Sequence, residues 1–445
     1  MQTAAITSES LMNGKEISSL QILTLIFCFL VVAADGFDIG SVGYVAPLLK
    51  KEWTLTPAQL GPIFGAGLFG LTIGSFFFGP LADRVGRKRV IVMSMILFGI
   101  GSIACAYTES PVSLATMRFL TGLGLGGAMP TAITLSSEFA PQKNRAWLVT
   151  LMFCGFTLGL AFGGAVAALL IPSFGWRGVF IFGGVAPLCL APIIWIWMPE
   201  SLRFMIGKPR FDAEARRVVE RMVGVNQPFP EISLSETVPL TKNNGVVSTL
   251  FNEHYRTGTL LLWLAFFCTL WVYYQVSSWL PTIITESGIS AAQAATIGAM
   301  MPAGGTIGSL INAKLMDRFN PFVILSGSYL IAALSIASIG FAMHNAALLY
   351  VTVFFTGLGL SGAQTGANVL VSGFYSTVAR ATGVSWALAV GRVGSILGSM
   401  TGGILLAAVH TPQNAFVIFA LPTVIAGLAM LRTGYVYRGQ TLTTT

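Results

Sequence analysis

Thr121-Gly-Leu-Gly-Leu-Gly-Gly-Ala128 returns 235 residues later as Thr356-Gly-Leu-Gly-Leu-Ser-Gly-Ala363. The echo does not stand alone. Thr72-Ile-Gly-Ser75 opens a stretch that ends at Asp83-Arg84, and Thr306-Ile-Gly-Ser309 opens one that ends at Asp317-Arg318, all at an offset of 234. Ala58-Gln59 matches Ala292-Gln293 at the same offset, and Arg145, Gly159 and Gly163 match Arg380, Gly394 and Gly398 at 235. Several matches in one order make the chain two homologous halves.

The repeat lies in a chain that water could not hold in solution. Of 445 residues, 54% are hydrophobic and 9% charged, with 50 Gly. Apolar runs of about 20 residues recur along the length, as a multi-span helical membrane protein requires. The breaks give twelve spans: 17–49, 57–82, 90–108, 112–138, 146–171, 177–198, 257–285, 291–316, 321–343, 346–373, 381–409 and 413–433. The expected fold is therefore all-α, with two pseudo-symmetric six-helix bundles at 17–198 and 257–433. A polar tail (1–16), a linker (199–256) and a second tail (434–445) complete the chain. Within the linker, 211–223 reads as an amphipathic surface helix.

Charge sets the direction. With the N-terminus in the cytoplasm, twenty of the 25 Lys and Arg fall on the cytoplasmic side. Lys50, Lys51 and Arg177 fall outside, and Arg118 and Arg392 inside spans. The positive-inside rule then predicts both termini in the cytoplasm, at the inner membrane if the host is a bacterium. The net charge of +8 sits in short loops and does not indicate a nucleic-acid partner. No nucleophile–base set is present, so an enzyme is not expected. The five Cys lie in apolar runs as packing residues, and the three His lie in or near loops, so no metal or cofactor is expected. A monomer is the expected state.

Six spans return the chain to its starting side, so both halves have one orientation. Halves related by an axis along the membrane normal form an alternating-access carrier, with substrate between them near the midplane.

Asp35 and Asp38 stand out in span one, three residues apart and roughly on one helix face. At mid-membrane each ionised acid costs ~2.5–3.5 kcal/mol on insertion scales. Arg118 sits about two turns into span four, too deep for a surface charge, and needs Asp38, Asp35 or an anionic substrate. Snorkelling to the outer surface is the alternative. We assign Asp38 as the main proton acceptor, paired with Arg118. Asp35 is either a second titratable site or an acceptor for a substrate hydroxyl. Arg392 in span eleven has no acid near it in sequence, and its fork suits a carboxylate. The cavity wall is expected to hold Tyr273, Tyr274, Gln275 and Trp279 of span seven, Gln364 and Asn368 of span ten, and Trp386 of span eleven. Trp and Tyr also mark membrane interfaces, which competes with this reading for the span-seven set. Gly155, Gly159 and Gly163 of span five read as close packing, because span eleven repeats them.

The loop Gly79-Pro-Leu-Ala-Asp83-Arg84-Val-Gly86-Arg87-Lys88-Arg89 resembles the signature loop of the major facilitator superfamily. There Asp83, Arg84 and Arg87, with Asp317 and Arg318 as the weaker copy, are expected to hold the cytoplasmic gate. The competing reading is that Arg87, Lys88 and Arg89 are only positive-inside anchors. Glu138 and Arg145 are expected as a further gate pair. Pro199-Glu200-Ser201-Leu202-Arg203 resembles the sugar-porter form of this junction. Asp35-Gly36-Phe37-Asp38, taken with the 79–89 loop and Arg392, looks like the aromatic acid:proton symporter family. That resemblance implies import of benzoate- or hydroxybenzoate-like acids for catabolism, with protons and a small aromatic carboxylate as partners. It implies that Asp35 and Asp38 are needed for transport and Asp83 and Asp317 for gating. The second loop departs from the pattern: Asp317-Arg318 is followed by Asn320-Pro321 and lacks a copy of the basic run Arg87-Lys88. Competing readings are an importer of another organic or sugar acid and a drug or metabolite antiporter of the same fold.

Overall fold

The structure, a computed structural model, describes residues 17–206, 208–223, 250–375, 377–409 and 411–437. The first tail, residues 438–445 of the second and the Pro/Ser/Thr/Asn-rich part of the linker lie outside the described residues. The first half contains α1 (Ser19–Glu52), α2 (Pro57–Val85), α3 (Arg87–Ala106) and α4 (Pro111–Phe139), followed by one helical run, Arg145–Trp197. The linker contributes a short turn, α7 (Leu202–Met205), and α8 (Asp212–Val223). The second half contains α9 (Glu253–Glu286), α10 (Ala291–Met316), α11 (Pro321–Ala342), α12 (Ala346–Phe374), α13 (Thr377–Ala408) and α14 (Pro412–Val436). Eleven helices among the described residues are long and apolar enough to cross a membrane.

The longest run makes two spans. It breaks helical geometry at Gly175 (φ 63°, ψ −163°), a conformation that L side chains disfavour. Phe162 and Phe182 flank that break with ring centroids 6.4 Å apart. A straight helix would separate them by about 30 Å. The run therefore folds back as α5 (145–174) and α6 (176–197), which brings the spans to twelve.

The helix starts explain part of the repeat. Thr56 and Gln59 form a capping box at α2, with the Thr56 N–H donating to Gln59 Oε1 at 2.9 Å. In the second half Ser290 Oγ accepts from the Gln293 N–H at 3.2 Å at the head of α10. The Ala58-Gln59 and Ala292-Gln293 match is thus a start signal used twice.

Glycines set the helix pairs, and these also repeat. A methyl added at Gly159 of α5 would sit 2.0 Å from the Ala33 carbonyl oxygen of α1, and one at Gly398 of α13 would sit 2.1 Å from that of Trp271 in α9. Gly74 of α2 meets Leu123 of α4, as Gly308 of α10 meets Leu358 of α12. Backbones touch at these crossings, which accounts for the small residues.

One end of the bundle carries residues 19 and 437; we call it the terminal end. At the opposite, far end the halves are in contact. Lys50 of α1 pairs with Glu286 of α9. Phe64 of α2 meets Trp279 of α9 edge-on, centroids 5.1 Å apart. Gly61 of α2 lies against Met400 of α13, and Gly164 of α5 against Ala295 of α10. Deeper in, Thr157 of α5 and Thr306 of α10 share a hydrogen bond across the halves at 2.7 Å.

Candidate transport site

Below the far-end seal, a cavity of about 210 Å³ lies between the halves and runs toward the terminal end. The first half supplies Asp35, Thr72, Phe153 and Phe156 to its lining; the second supplies Tyr273, Tyr274, Gln364, Asn368 and Arg392. The wall is mostly apolar, with few polar groups, as small-molecule sites are.

Helix α1 places the acids. Gly36 packs against the Phe156 backbone of α5, where a methyl would sit 2.2 Å from its carbonyl oxygen. That contact fixes the rotation of α1. Asp35 reaches the cavity wall, and neither of its oxygens finds a hydrogen-bond partner among the described residues. Arg392 of α13 stands at the same cavity with its Nη1 buried and unpartnered. Its charge acts on Asp35 and on the Tyr274 hydroxyl.

Asp38 has a different environment. It is fully buried, and Arg118 Nη1 donates to its Oδ2 at 2.8 Å. Arg118 Nη2 also donates to the Asp38 backbone oxygen at 3.4 Å. Arg118 is 3% exposed and stands over the Phe180 ring at 5.8 Å. It does not snorkel to the surface. Three residues of α-helix separate the two acids by 300° and about 4.5 Å along the axis. The shared helix face therefore resolves into two environments: Asp35 with Arg392 at the cavity, and Asp38 with Arg118 outside it.

Several expected wall residues sit elsewhere. Trp279 belongs to the far-end seal: it is fully buried, its Nε1 donates to the Ser399 carbonyl at 2.8 Å, and it packs on Gly402 and Gly403. Trp386 is 43% exposed and stacks on Trp263, centroids 5.7 Å apart, off the cavity. Gln275 is buried without lining the cavity, because it sits one residue past Tyr274 on the turning helix. Gln364 and Asn368 do share a face, with Gln364 Nε2 donating to Asn368 Oδ1 at 3.3 Å.

The charged residues at the terminal end form a cluster within the first half. Arg87 pairs with Asp83 at 3.2 Å and with Glu138 at 3.1 Å. Glu138 also accepts from the Ser201 hydroxyl. Glu138 thus pairs with Arg87, and Arg145 heads α5. Glu200 Oε1 accepts from the backbone N–H groups of Arg87 (2.8 Å), Lys88 (3.1 Å) and Ser201 (2.9 Å). An acid is well placed there, because the N-terminus of α3 carries free N–H groups and the positive helix pole. Gly86, at φ 115°, is required twice over: by that angle and because a Cβ would meet Glu200 Oε2 at 2.3 Å. Arg84, Asp317 and Arg318 are exposed, and none of the three forms an ion pair among the described residues. Sequence reading did not select Glu200 as a site residue. The available signal was an acid directly after span six with the Gly86 break to receive it.

A family model described as Major Facilitator Superfamily matches residues 28–343 and 288–441. A gallate transporter of Pseudomonas putida is 39% identical over 432 residues, covering 97% of this chain and 96% of its own length. A 4-hydroxybenzoate transporter of Acinetobacter baylyi is 40% identical over 435 residues, covering 96% and 94%. The xylose transporter XylE from E. coli, in a partially occluded inward open conformation, has a TM-score of 0.71 over 93% of this chain and 98% of that one, at 15% identity. The twelve-helix duplicated architecture, the cavity between the halves and these relatives lead to one conclusion: the chain belongs to the major facilitator superfamily and is a membrane transporter, not an enzyme.

Proposed function

We propose that this transporter imports a hydroxylated or unsubstituted aromatic carboxylic acid together with protons, by alternating access. The observation that carries the reading is the cavity wall where unpartnered Arg392 Nη1 stands with unpartnered Asp35 beside Tyr273 and Tyr274. A carboxylate would satisfy the guanidinium fork. Flat rings would face the substrate ring. Asp35 would accept a hydroxyl proton or carry a proton itself. The gallate and 4-hydroxybenzoate transporters among the relatives support the substrate class.

In this reading both termini are cytoplasmic, because the basic loops gather at the terminal end. The membrane is the inner membrane of a bacterium, and the far-end seal makes this the inward-facing state. The membrane potential opposes an entering anion by ~2.3 kcal/mol per 100 mV per charge. One proton cancels the charge of a monocarboxylate, and the pH gradient then drives entry. Asp38 is the proton site: protonation frees Arg118, and the changed pairing biases α1 against α4.

Proteoliposome uptake of radiolabelled 4-hydroxybenzoate, gallate and benzoate under an imposed pH gradient, acid outside, tests this. Accumulation above the equilibrium level that collapses with a protonophore is expected. Accumulation only on reversing the gradient would mean an antiporter instead. Asp38→Asn that still accumulates substrate would remove Asp38 from the proton role.

A further inference from the structure

Helices α4 and α12 are copies of one another, and both line the transport cavity. Ser361, Gln364 and Thr365 of α12 stand on its wall, and so do Gly126, Met129 and Pro130, the residues 235 positions earlier in α4. One wall is polar where its copy is apolar. The bundle itself does not call for that difference, because α4 holds the matching place with no polar side chain at any of the three positions. Thr365 has a packing role: its hydroxyl shares a hydrogen bond with Ser309 of α10 at 2.9 Å. Gln364 does not. Its Nε2 donates to Asn368 Oδ1 at 3.3 Å, one turn along, which holds the amide in place. Its Oε1 is buried and has no hydrogen-bond partner among the described residues. Burying an acceptor unpaired is costly, and a ligand that donates to it removes the cost. On the next helix, Arg392 Nη1 is a free donor at the same cavity. The two orphans ask for opposite groups. An acid end accepts from Arg392, and an O–H end donates to Gln364.

We propose that Gln364 Oε1 accepts the ring hydroxyl of the transported acid, so that the carrier selects hydroxylated aromatic acids over unsubstituted ones. This rests on the aromatic-acid reading above. Asn368 is a positioning residue, because it orients the amide from the side away from the free oxygen. Selectivity comes from both ligands. A hydroxy acid fills the acceptor, whereas benzoate occupies the cavity and leaves the acceptor unpaired. A site built around a substrate hydroxyl rejects the analogue that lacks it for this reason.

Gln364→Met gives α12 the residue that α4 carries at the matching position, so a bundle built on the same plan accommodates it. Isothermal titration of the purified carrier with 4-hydroxybenzoate, 3-hydroxybenzoate and benzoate reads the selectivity. Wild type should bind one of the hydroxy acids roughly tenfold to a hundredfold more tightly than benzoate, the span that one newly satisfied buried acceptor supports. Which of the two it prefers gives the ring position that meets Gln364. In Gln364→Met that preference should largely vanish, through loss of affinity for the hydroxy acid. Arg392→Lys should weaken all three acids alike and keep the preference, because it acts on the carboxylate that they share. Equal binding of the three acids by wild type, a preference that survives in Gln364→Met, or an equal loss of all three in that variant would overturn the assignment of Gln364 alone. A wild-type carrier that binds none of the three would overturn the aromatic-acid reading itself.

Discussion

The two halves share a backbone plan and divide the chemistry unequally. In the first, charge other than Asp35 is largely paired: Asp38 with Arg118 within the membrane, and Asp83, Arg87 and Glu138 at the terminal end, with Glu200 on the start of α3. In the second, the positions that match Arg87 and Arg118 hold uncharged residues, Pro321 and Val353. Asp317 and Arg318 form no ion pair among the described residues, and Asn312 of α10 meets Ser328 of α11 at 3.0 Å instead. Among the described residues, the one cation at the cavity from this half, Arg392, has a free Nη1. On the proposed function, the contrast would be a division of labour in which the first half stores and switches charge and the second presents a cation to the ligand. A duplicated scaffold permits this, because glycine crossings keep both halves folded alike while side chains diverge.

The largest test of that contrast is Arg118→Ala. It leaves the Asp38 carboxylate buried without its partner, which costs ~3–5 kcal/mol when a buried pair is broken on one side. Thermal unfolding in detergent should show a large drop, and the double variant Arg118→Ala/Asp38→Asn should recover most of it. An unchanged unfolding temperature in the single variant would mean the pair is not sealed as described. Next comes Arg392→Lys, which keeps the charge and loses the fork. A hydrogen bond to a charged group contributes about 1.5–3 kcal/mol, so substrate affinity should weaken roughly tenfold to a hundredfold. Isothermal titration with 4-hydroxybenzoate measures it, and stability should stay near wild type because Arg392 Nη1 holds no protein partner to lose. Trp386→Ala, off the cavity, should leave affinity unchanged. Smallest is the terminal-end pair of variants. Glu200→Gln weakens the cap on α3 and should cost about 1 kcal/mol, in the range of lost helix caps. Asp317→Asn should cost nothing measurable by the same unfolding assay. Equal effects at Glu200 and Asp317 would erase the asymmetry at this end.

Much of this architecture is legible in the amino-acid sequence alone. The repeated Thr-Gly-Leu-Gly-Leu runs, the span lengths and the scarcity of charge within the spans determine a duplicated twelve-helix bundle, because a bilayer leaves a backbone little choice but helix. Capping residues at Ser18, Thr56 and Ser290 set where helices begin, since these contacts are local in sequence. Isolated charges in apolar runs point to Asp35, Asp38, Arg118 and Arg392, because burying them has a large and general cost. Which of these groups meet is decided only by the fold. Sequence spacing gives an angle around one helix, whereas a partner is chosen by how helices rotate and cross. That rotation puts Asp35 on the cavity and Asp38 on Arg118, turns Trp279 into the far-end seal and Trp386 outward, and brings Glu200 across more than a hundred residues to the head of α3. Local rules fix the elements; the glycine-to-carbonyl contacts between them, which no single helix contains, fix the site.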